Sequence, residues 1–294
     1  MGALEGRRAI ITGAGRGIGR EHALLFAREG AKVVVNDLGG SGAGEGSDAG
    51  PAQELIEEIT AAGGEAVANT DDVSTWDGAQ TLVQAAIDSF GGLDVVVNNA
   101  GILRDRFLPQ MEEAEFDAVI QVHLKGHFCV MRHAAAHWRG ASKAGEQVAG
   151  SIINTASASG TFLPNAGQIN YGAAKAGIAA MTLVAAAELG RYGVRVNGIA
   201  PAARTRLTED VPVISEMMKP PEDPEAFDPF DPAHVSPFVA YLASESCPVT
   251  GKLFSVQGGA ISELTNWQVG ETITTDGAWT IDGIAEQLGS PAAA

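Results

Sequence analysis

The sequence has few cysteines, few basic residues and no long apolar run, and each shortage removes a class of protein. With only two cysteines, Cys129 and Cys247, in 294 residues, no disulfide framework holds the fold. The chain therefore reads as a globular protein of a reducing compartment, with a cytoplasmic location expected and both thiols packed and unpaired. Lysine and arginine total 19 against 36 aspartates and glutamates, for a formal net charge of −17. Such a surface repels polyanions, so neither nucleic acid nor an anionic membrane is expected as a partner, and an anionic ligand would need a local positive site. No apolar stretch approaches the roughly 20 residues of a membrane helix. Met1–Arg8 holds no apolar core of a leader or anchor. No metal site is indicated, and no internal repeat appears at any useful period.

The chain does have a rhythm. Short β-branched runs alternate with alanine-rich stretches of helical period, the pattern of repeated βαβ units around a parallel sheet. Seven strands are predicted at Arg8–Thr12, Lys32–Asn36, Glu65–Asn69, Leu93–Asn98, Ser151–Thr155, Val194–Ile199 and Lys252–Val256. Helices are predicted at Gly17–Glu29, Pro51–Ala62, Thr75–Phe90, Glu113–Trp138, Gly172–Leu189 and His234–Ala243. The expected fold is a single α/β domain, a doubly wound, Rossmann-type parallel sheet of seven strands with helices on both faces. Residues 1–260 form its catalytic body and 261–294 an extension of the same domain. Three segments interrupt the rhythm. The glycine-rich Leu38–Gly50 follows the second strand, where cofactor-contacting loops lie. Arg139–Gly150 reads as a polar surface excursion. Residues 203–232 pack prolines and acids around Met217, Met218, Phe227 and Phe230, and read as a mobile lid.

Directly after the first strand, Thr12-Gly13-Ala14-Gly15-Arg16-Gly17-Ile18-Gly19 opens a helix where free backbone N–H groups can hold a pyrophosphate. The spacing is T-G-x-x-x-G-x-G rather than G-x-G-x-x-G. Asp37 ends the second strand, where a carboxylate can accept both ribose hydroxyls of adenosine and would repel a 2′-phosphate. It selects NAD. Arg16 points the other way, because a guanidinium in the turn could pair with that phosphate. Asp37 decides, since a carboxylate beside a phosphate is directly repulsive whereas Arg16 is free to face solvent.

Asp71-Asp72-Val73 after the third strand, Asn98-Asn99-Ala100-Gly101 after the fourth, and Tyr171-x-x-x-Lys175 join this turn in a fixed order. Together they make the chain resemble the short-chain dehydrogenases over about Gly6–Gly259. The resemblance implies hydride transfer between a nicotinamide and a secondary alcohol or ketone. Tyr171 exchanges the hydroxyl proton, and Lys175 lowers the phenol's pKa and bonds the nicotinamide ribose. Ser157 holds the substrate oxygen. Its interval to Tyr171 is one residue longer than is usual in the family; Gly160 fixes the alignment, and Ser159 is the fallback. The implied cofactor contacts are Gly13, Arg16, Gly17, Ile18, Gly19, Asp37, Asp72, Val73, Asn99, Ala100, Gly101, Tyr171 and Lys175, with Pro201 and Thr205 over the nicotinamide amide. His123 stands where most members carry an asparagine that orders a relay water near the lysine. A relay role and a purely structural one are both open for it.

Val35–Gly40, Ala100–Asp105 and Val122–Leu124 resemble one subgroup, the hydroxyacyl-CoA dehydrogenase domains of peroxisomal multifunctional enzymes and related bacterial hydroxysteroid enzymes. A bulky, apolar hydroxy compound follows, with Leu103, Phe107, Phe162, Leu163, Met217 and Met218 as candidate lining. Arg206–Pro232 holds eight acids and two bases, which favours an uncharged steroid-like alcohol over an acyl-CoA, although Arg104 and Arg106 could offset that charge. Rival readings are an NADPH-dependent ketoreductase, a catalytically silent nucleotide binder, and a hydro-lyase or epimerase using bound NAD. By analogy with the family, alcohol oxidation is the expected direction. The small-residue surface Ala173–Ala187 suits close helix packing in a homotetramer.

Overall fold

A computed structural model describes residues 2–209, 212–223, 225–265 and 267–288. Asp210, Val211 and Pro224 of the expected lid, and residues 289–294 of the tail, lie outside the described residues. Contacts divide the chain into two units, Met1–Leu264 and Thr265–Ala294.

The first unit is built on eight strands: β1 (Arg8–Thr12), β2 (Lys32–Asn36), β3 (Glu65–Asn69), β4 (Val95–Asn98), β5 (Gly150–Thr155), β6 (Val194–Pro201), β7 (Leu253–Gln257) and β8 (Ala260–Glu263). They are ordered β3-β2-β1-β4-β5-β6-β7-β8, and every pairing is parallel except β7 with β8. The expectation of seven strands is corrected by one. Gln257 pairs with Ala260 across Gly258 and Gly259, and Gly258 takes φ +50, so a two-glycine hairpin folds an extra strand back on β7. The Gly-Gly pair carried that signal in the sequence.

Strands buried on both faces must be apolar at successive positions, and adjacent residues here serve opposite cores. Ile11, Val33, Val35 and Val97 face α1 (Gly17–Arg28), α2 (Gly50–Ala61) and α9 (Ser236–Ala243). Ile10, Val34, Val96 and Ile152 face α3 (Trp76–Phe90) and α5 (Gly126–Lys143). The strand order reverses between β1 and β4, which opens a crevice at the strands' carboxyl ends.

The predicted helix Glu113–Trp138 is three segments: α4 (Glu113–Val119), a π-helical stretch Ile120–Lys125, and α5, which runs on through the expected surface excursion as far as Lys143. The wide turn adds a residue to the spiral and lays Val122 and Leu124 against α6 (Ile169–Leu189). By length and composition α6 is apolar enough to cross a membrane, which the search for apolar runs overlooked. It nonetheless buries Asn170, Lys175 and Thr182 inside this fold.

The segment expected as a lid contains α7 (Arg206–Glu209) and α8 (Pro212–Met217). At its root, Arg204 donates to the Met218 carbonyl and pairs with Asp228. In the second unit α10 spans Ile281–Leu288, with Ile281 and Leu288 exposed.

Candidate active site

The crevice is floored by the glycine turn. Gly13 takes φ +62, and a Cβ there would stand 2.7 Å from the Ala100 Cα; at Gly19 a Cβ would collide with the Gly13 carbonyl. Only glycine permits this approach. Thr12 Oγ1 accepts from the Asn99 and Ala100 N–H groups at 2.9 and 3.0 Å, and the Asn99 amide donates to the Thr12 and Gly13 carbonyls at 3.1 and 3.2 Å. Asn99 therefore braces the turn itself. Arg16 precedes α1 in extended conformation, is exposed, and supplies no cap. The first-turn N–H groups at Gly17, Ile18 and Gly19 thus face the crevice without a side-chain cap, a geometry that fits the pyrophosphate of a dinucleotide.

Asp37 lies across this turn. Its Oδ2 accepts from Gly15 N and its Oδ1 from Gly39 N, both at 2.7 Å. In the loop after β3, Asp72 accepts from Ser74 N at 2.9 Å while Val73 joins the core. Pro201 ends β6, and Thr205 stands beside Gly17, its Cγ2 3.4 Å from where a Cβ there would lie.

Tyr171 and Lys175 share one face of α6. Lys175 is 2% exposed, its Nζ donates to the Thr155 carbonyl at 2.6 Å, and it lies 5.5 Å from the centre of the Tyr171 ring. Burial pushes the ammonium down to about 7. Burial pushes the Tyr171 phenol up, a hydrogen bond with Ser157 pulls it back, and the Asp105 charge raises it again. The pair thus holds two protons at low pH and gives up the first near neutrality. With one proton left it can place a phenolate beside an ammonium, the base that alcohol oxidation needs.

The two candidate serines separate cleanly. Ser157 acts on the Tyr171 hydroxyl and lowers its pKa, whereas Ser159 donates to Gln168 Oε1 at 2.9 Å. Gly160 lies where any Cβ would stand 2.7 Å from the Lys175 backbone carbon, so the serine loop sits flat on α6. His123, on the π-helical stretch, meets Tyr171 edge-on at 5.2 Å between ring centres. Its Nε2 lies 3.0 Å from Ile102 N and 2.8 Å from Ile102 O. Burial first, then the Lys175 charge, lowers its pKa to about 3, so it is neutral. Directly above it Gly101 leaves no room for a Cβ.

Sequence reasoning missed a second layer. Gln168, buried before α6, donates to Asp105 at 2.7 Å, which links the loop after β4 to the serine loop. His127, one helical turn after His123, is 2% exposed and was legible only as an i, i+4 repeat. Among the described residues no group of three His, Cys, Asp or Glu side chains stands together as a metal site would.

The chain is similar to known proteins in sequence and in fold. The sequence profile of short chain dehydrogenases matches residues 7–212. Hydroxyacyl-CoA dehydrogenase ChsB1 of Mycobacterium tuberculosis is 44% identical over 93% of this chain and 84% of its own. Peroxisomal multifunctional enzyme type 2 of Mus musculus is 42% identical over 90% of this chain and 33% of its own. A solved short chain dehydrogenase from Mycobacterium avium is 52% identical, with a TM-score of 0.86 over 98% of this chain and 94% of that one. A short chain dehydrogenase from Burkholderia cenocepacia, solved with NADP, is 28% identical with a TM-score of 0.74 over 87% of this chain and 98% of that one. The chain belongs to the short-chain dehydrogenase/reductase family and is an oxidoreductase that uses a nicotinamide cofactor on a small-molecule alcohol or ketone.

Proposed function

We propose that the protein is an NAD-dependent dehydrogenase oxidising the secondary alcohol of a bulky 3-hydroxyacyl-CoA. Asp37 carries the cofactor choice. Its carboxylate is held on the glycine turn by two backbone N–H groups, where it would accept ribose hydroxyls and repel a 2′-phosphate. The exposed Arg16 supports the NADPH-dependent alternative, which requires that Asp37 swing away.

Bound nicotinamide supplies the hydride acceptor. Ser157 orients the alcohol oxygen, Tyr171 takes its proton, and Lys175 stabilises the phenolate and bonds the ribose. The acyl group is matched by the exposed Phe107, Phe162, Leu163 and Met217. The relative that carries hydroxyacyl-CoA in its name supports the thioester over the steroid-like alcohol. The lid's acids support the latter, and Arg106 is committed to Glu115 at 2.7 Å rather than free to meet phosphates.

On α6, Ala173, Ala180, Val184 and Ala187 are exposed in one stripe, which supports homotetramer formation, and a cytoplasmic location is part of the same reading. Titration with NADH and NADPH, followed by turnover of a 3-hydroxyacyl-CoA against a hydroxysteroid with NAD, tests this assignment. Tight NADH binding and faster thioester oxidation are expected. Preference for NADPH overturns the role of Asp37, and preference for the steroid overturns the thioester.

A further inference from the structure

The glycine-rich segment after β2 folds into a small Ω-shaped loop. Asp48 N donates back to the Leu38 carbonyl at 3.3 Å, and a Cβ on Gly39, which takes φ +76, would collide with the Asp48 backbone, so the two ends of the loop meet. Inside it Ser41 N donates to the Glu45 carbonyl at 2.8 Å and Gly44 N to the Ser41 carbonyl at 3.0 Å. Residues 39–47 are glycine, serine, alanine and glutamate only. With no large apolar side chain to pack, the loop cannot be held down by burial.

It is held instead by three of its carbonyls. Gly42 O accepts from Leu103 N at 2.9 Å, Ala43 O from Arg104 Nε at 3.0 Å, and Gly40 O from Arg206 Nη1 at 3.2 Å. Leu103 and Arg104 follow β4, and Arg206 opens α7 after β6. In the sheet β1 lies between β2 and β4, so a loop that leaves β2 and reaches the residues after β4 passes the carboxyl end of β1, where the glycine turn begins. Both roots of the loop stand on that turn: a Cβ on Gly15 would lie 2.9 Å from Asp37 Oδ2 and 3.2 Å from Pro51 Cβ. Arg206 follows Thr205, which stands beside Gly17. The loop, its anchors and the turn thus enclose the N–H groups that fit a pyrophosphate.

We propose that Gly39–Asp48 is a strap closed over the bound dinucleotide and that Arg104 is its latch, a positioning residue that slows cofactor release. The inference deepens the NAD reading above and rests on it. Of the two cationic anchors Arg104 is the stronger, because it is half-buried whereas Arg206 is exposed and screened by solvent. Arg104 also ties the strap to the catalytic helix. Its carbonyl accepts from the Asn170 amide at 2.9 Å, and Asn170 Oδ1 accepts from Tyr171 N at 2.7 Å. The strap and the residue that exchanges the substrate proton therefore share one anchor.

Stopped-flow fluorescence of NADH chased by excess NAD reads the latch. In Arg104→Met the NADH dissociation rate should rise about tenfold, through loss of one charge-assisted hydrogen bond, with the association rate nearly unchanged. Arg104→Lys, which keeps a donor and the charge, should restore slow release. Arg106→Met removes a neighbouring charge already paired with Glu115 and should release NADH at the parental rate. Parental release in Arg104→Met, a rise that lysine does not restore, or an equal rise in Arg106→Met overturns the latch. Hydrogen exchange on the parent is independent of how the variants fold: amides of residues 39–48 should exchange at least about tenfold more slowly with saturating NADH. Exchange unchanged by NADH overturns the strap. A parent that binds NADPH alone defeats the role of Asp37, while slow NADPH release that is lost in Arg104→Met upholds the strap.

Discussion

Replacing Lys175 with methionine isolates what burial does at this site. In the parent the Tyr171–Lys175 pair surrenders its first proton near 7, because burial has weakened the ammonium. In Lys175→Met that proton must come from the phenol alone, which burial and Asp105 hold above its usual value of 10. The ammonium lies 5.5 Å from the phenol ring, and an opposite charge at about 4–6 Å shifts a pKa by about 1–3 units, so the phenolate fraction at neutral pH drops about 10- to 1000-fold, about 1.4–4 kcal/mol of lost driving force. Initial rates of NADH formation from the alcohol, measured from about pH 6 to 10 at saturating NAD, read this directly. The parent's kcat/KM should climb through about 7 and level off. The variant should start about 10- to 1000-fold lower at pH 7 and climb about tenfold per unit without a plateau below 10. A variant that keeps an inflection near 7, or loses only a few-fold, would show that Lys175 does not set the proton-transfer pKa. Fluorescence titration with NADH separates the lost ribose contact, which lowers affinity without bending the pH profile.

The serines give a paired test: Ser157→Ala, losing the group that bonds Tyr171, should cost about 10²–10³ in kcat with NADH binding intact. Ser159→Ala, losing only its bond to Gln168, should cost about 1 kcal/mol in denaturant stability and less than about tenfold in kcat; the reverse order would reassign the alignment. His22 is fully buried against Ser236 at 2.8 Å, and burial holds it near 3. Above 6.5 it is neutral in folded and unfolded chains alike, but between 6.5 and 3 only the unfolded chain takes up the proton, so stability falls with pH by about 1.4 kcal/mol per unit from this group. Urea midpoints for His22→Asn at about pH 7 and 5 should lose about 2 kcal/mol less than the parent over that interval, and an equal loss would refute the assignment.

The parts of the fold legible in the sequence are those written by local rules. β1 and β2 end where predicted because each is a short β-branched run closed by a polar residue at the crevice, Thr12 or Asn36, and β3, the small apolar run Ala66-Val67-Ala68, is closed in the same way by Asn69. The glycine turn is legible because its spacing reflects contacts within a few residues. What escaped depends on distant partners. The π-helical stretch at Ile120–Lys125 looks like ordinary helix in sequence, and its widening makes sense only against Tyr171, Ala174 and Gly177 of α6. Arg139–Lys143 is polar because it faces solvent, yet it remains helical because α5 has not finished packing under Trp138, whose indole donates to the Leu93 carbonyl at 2.6 Å.

Within the site the same division separates chemistry from its control. Tyr171, Lys175 and Ser157 follow from spacing, and so does the reaction type. The level at which they titrate does not, since it depends on enclosure by β5, the π-helical stretch and Asp105, which are remote in sequence. Asp105 shows why. Its carboxylate is held by Gln168, which is held in turn by Ser159 of the serine loop, so one chain of hydrogen bonds ties the charge that raises Tyr171 to the loop that carries Ser157. A change anywhere along that chain shifts both the phenol's proton affinity and the position of the serine that lowers it. Substrate alignment and proton transfer are therefore coupled through side chains that never touch the substrate.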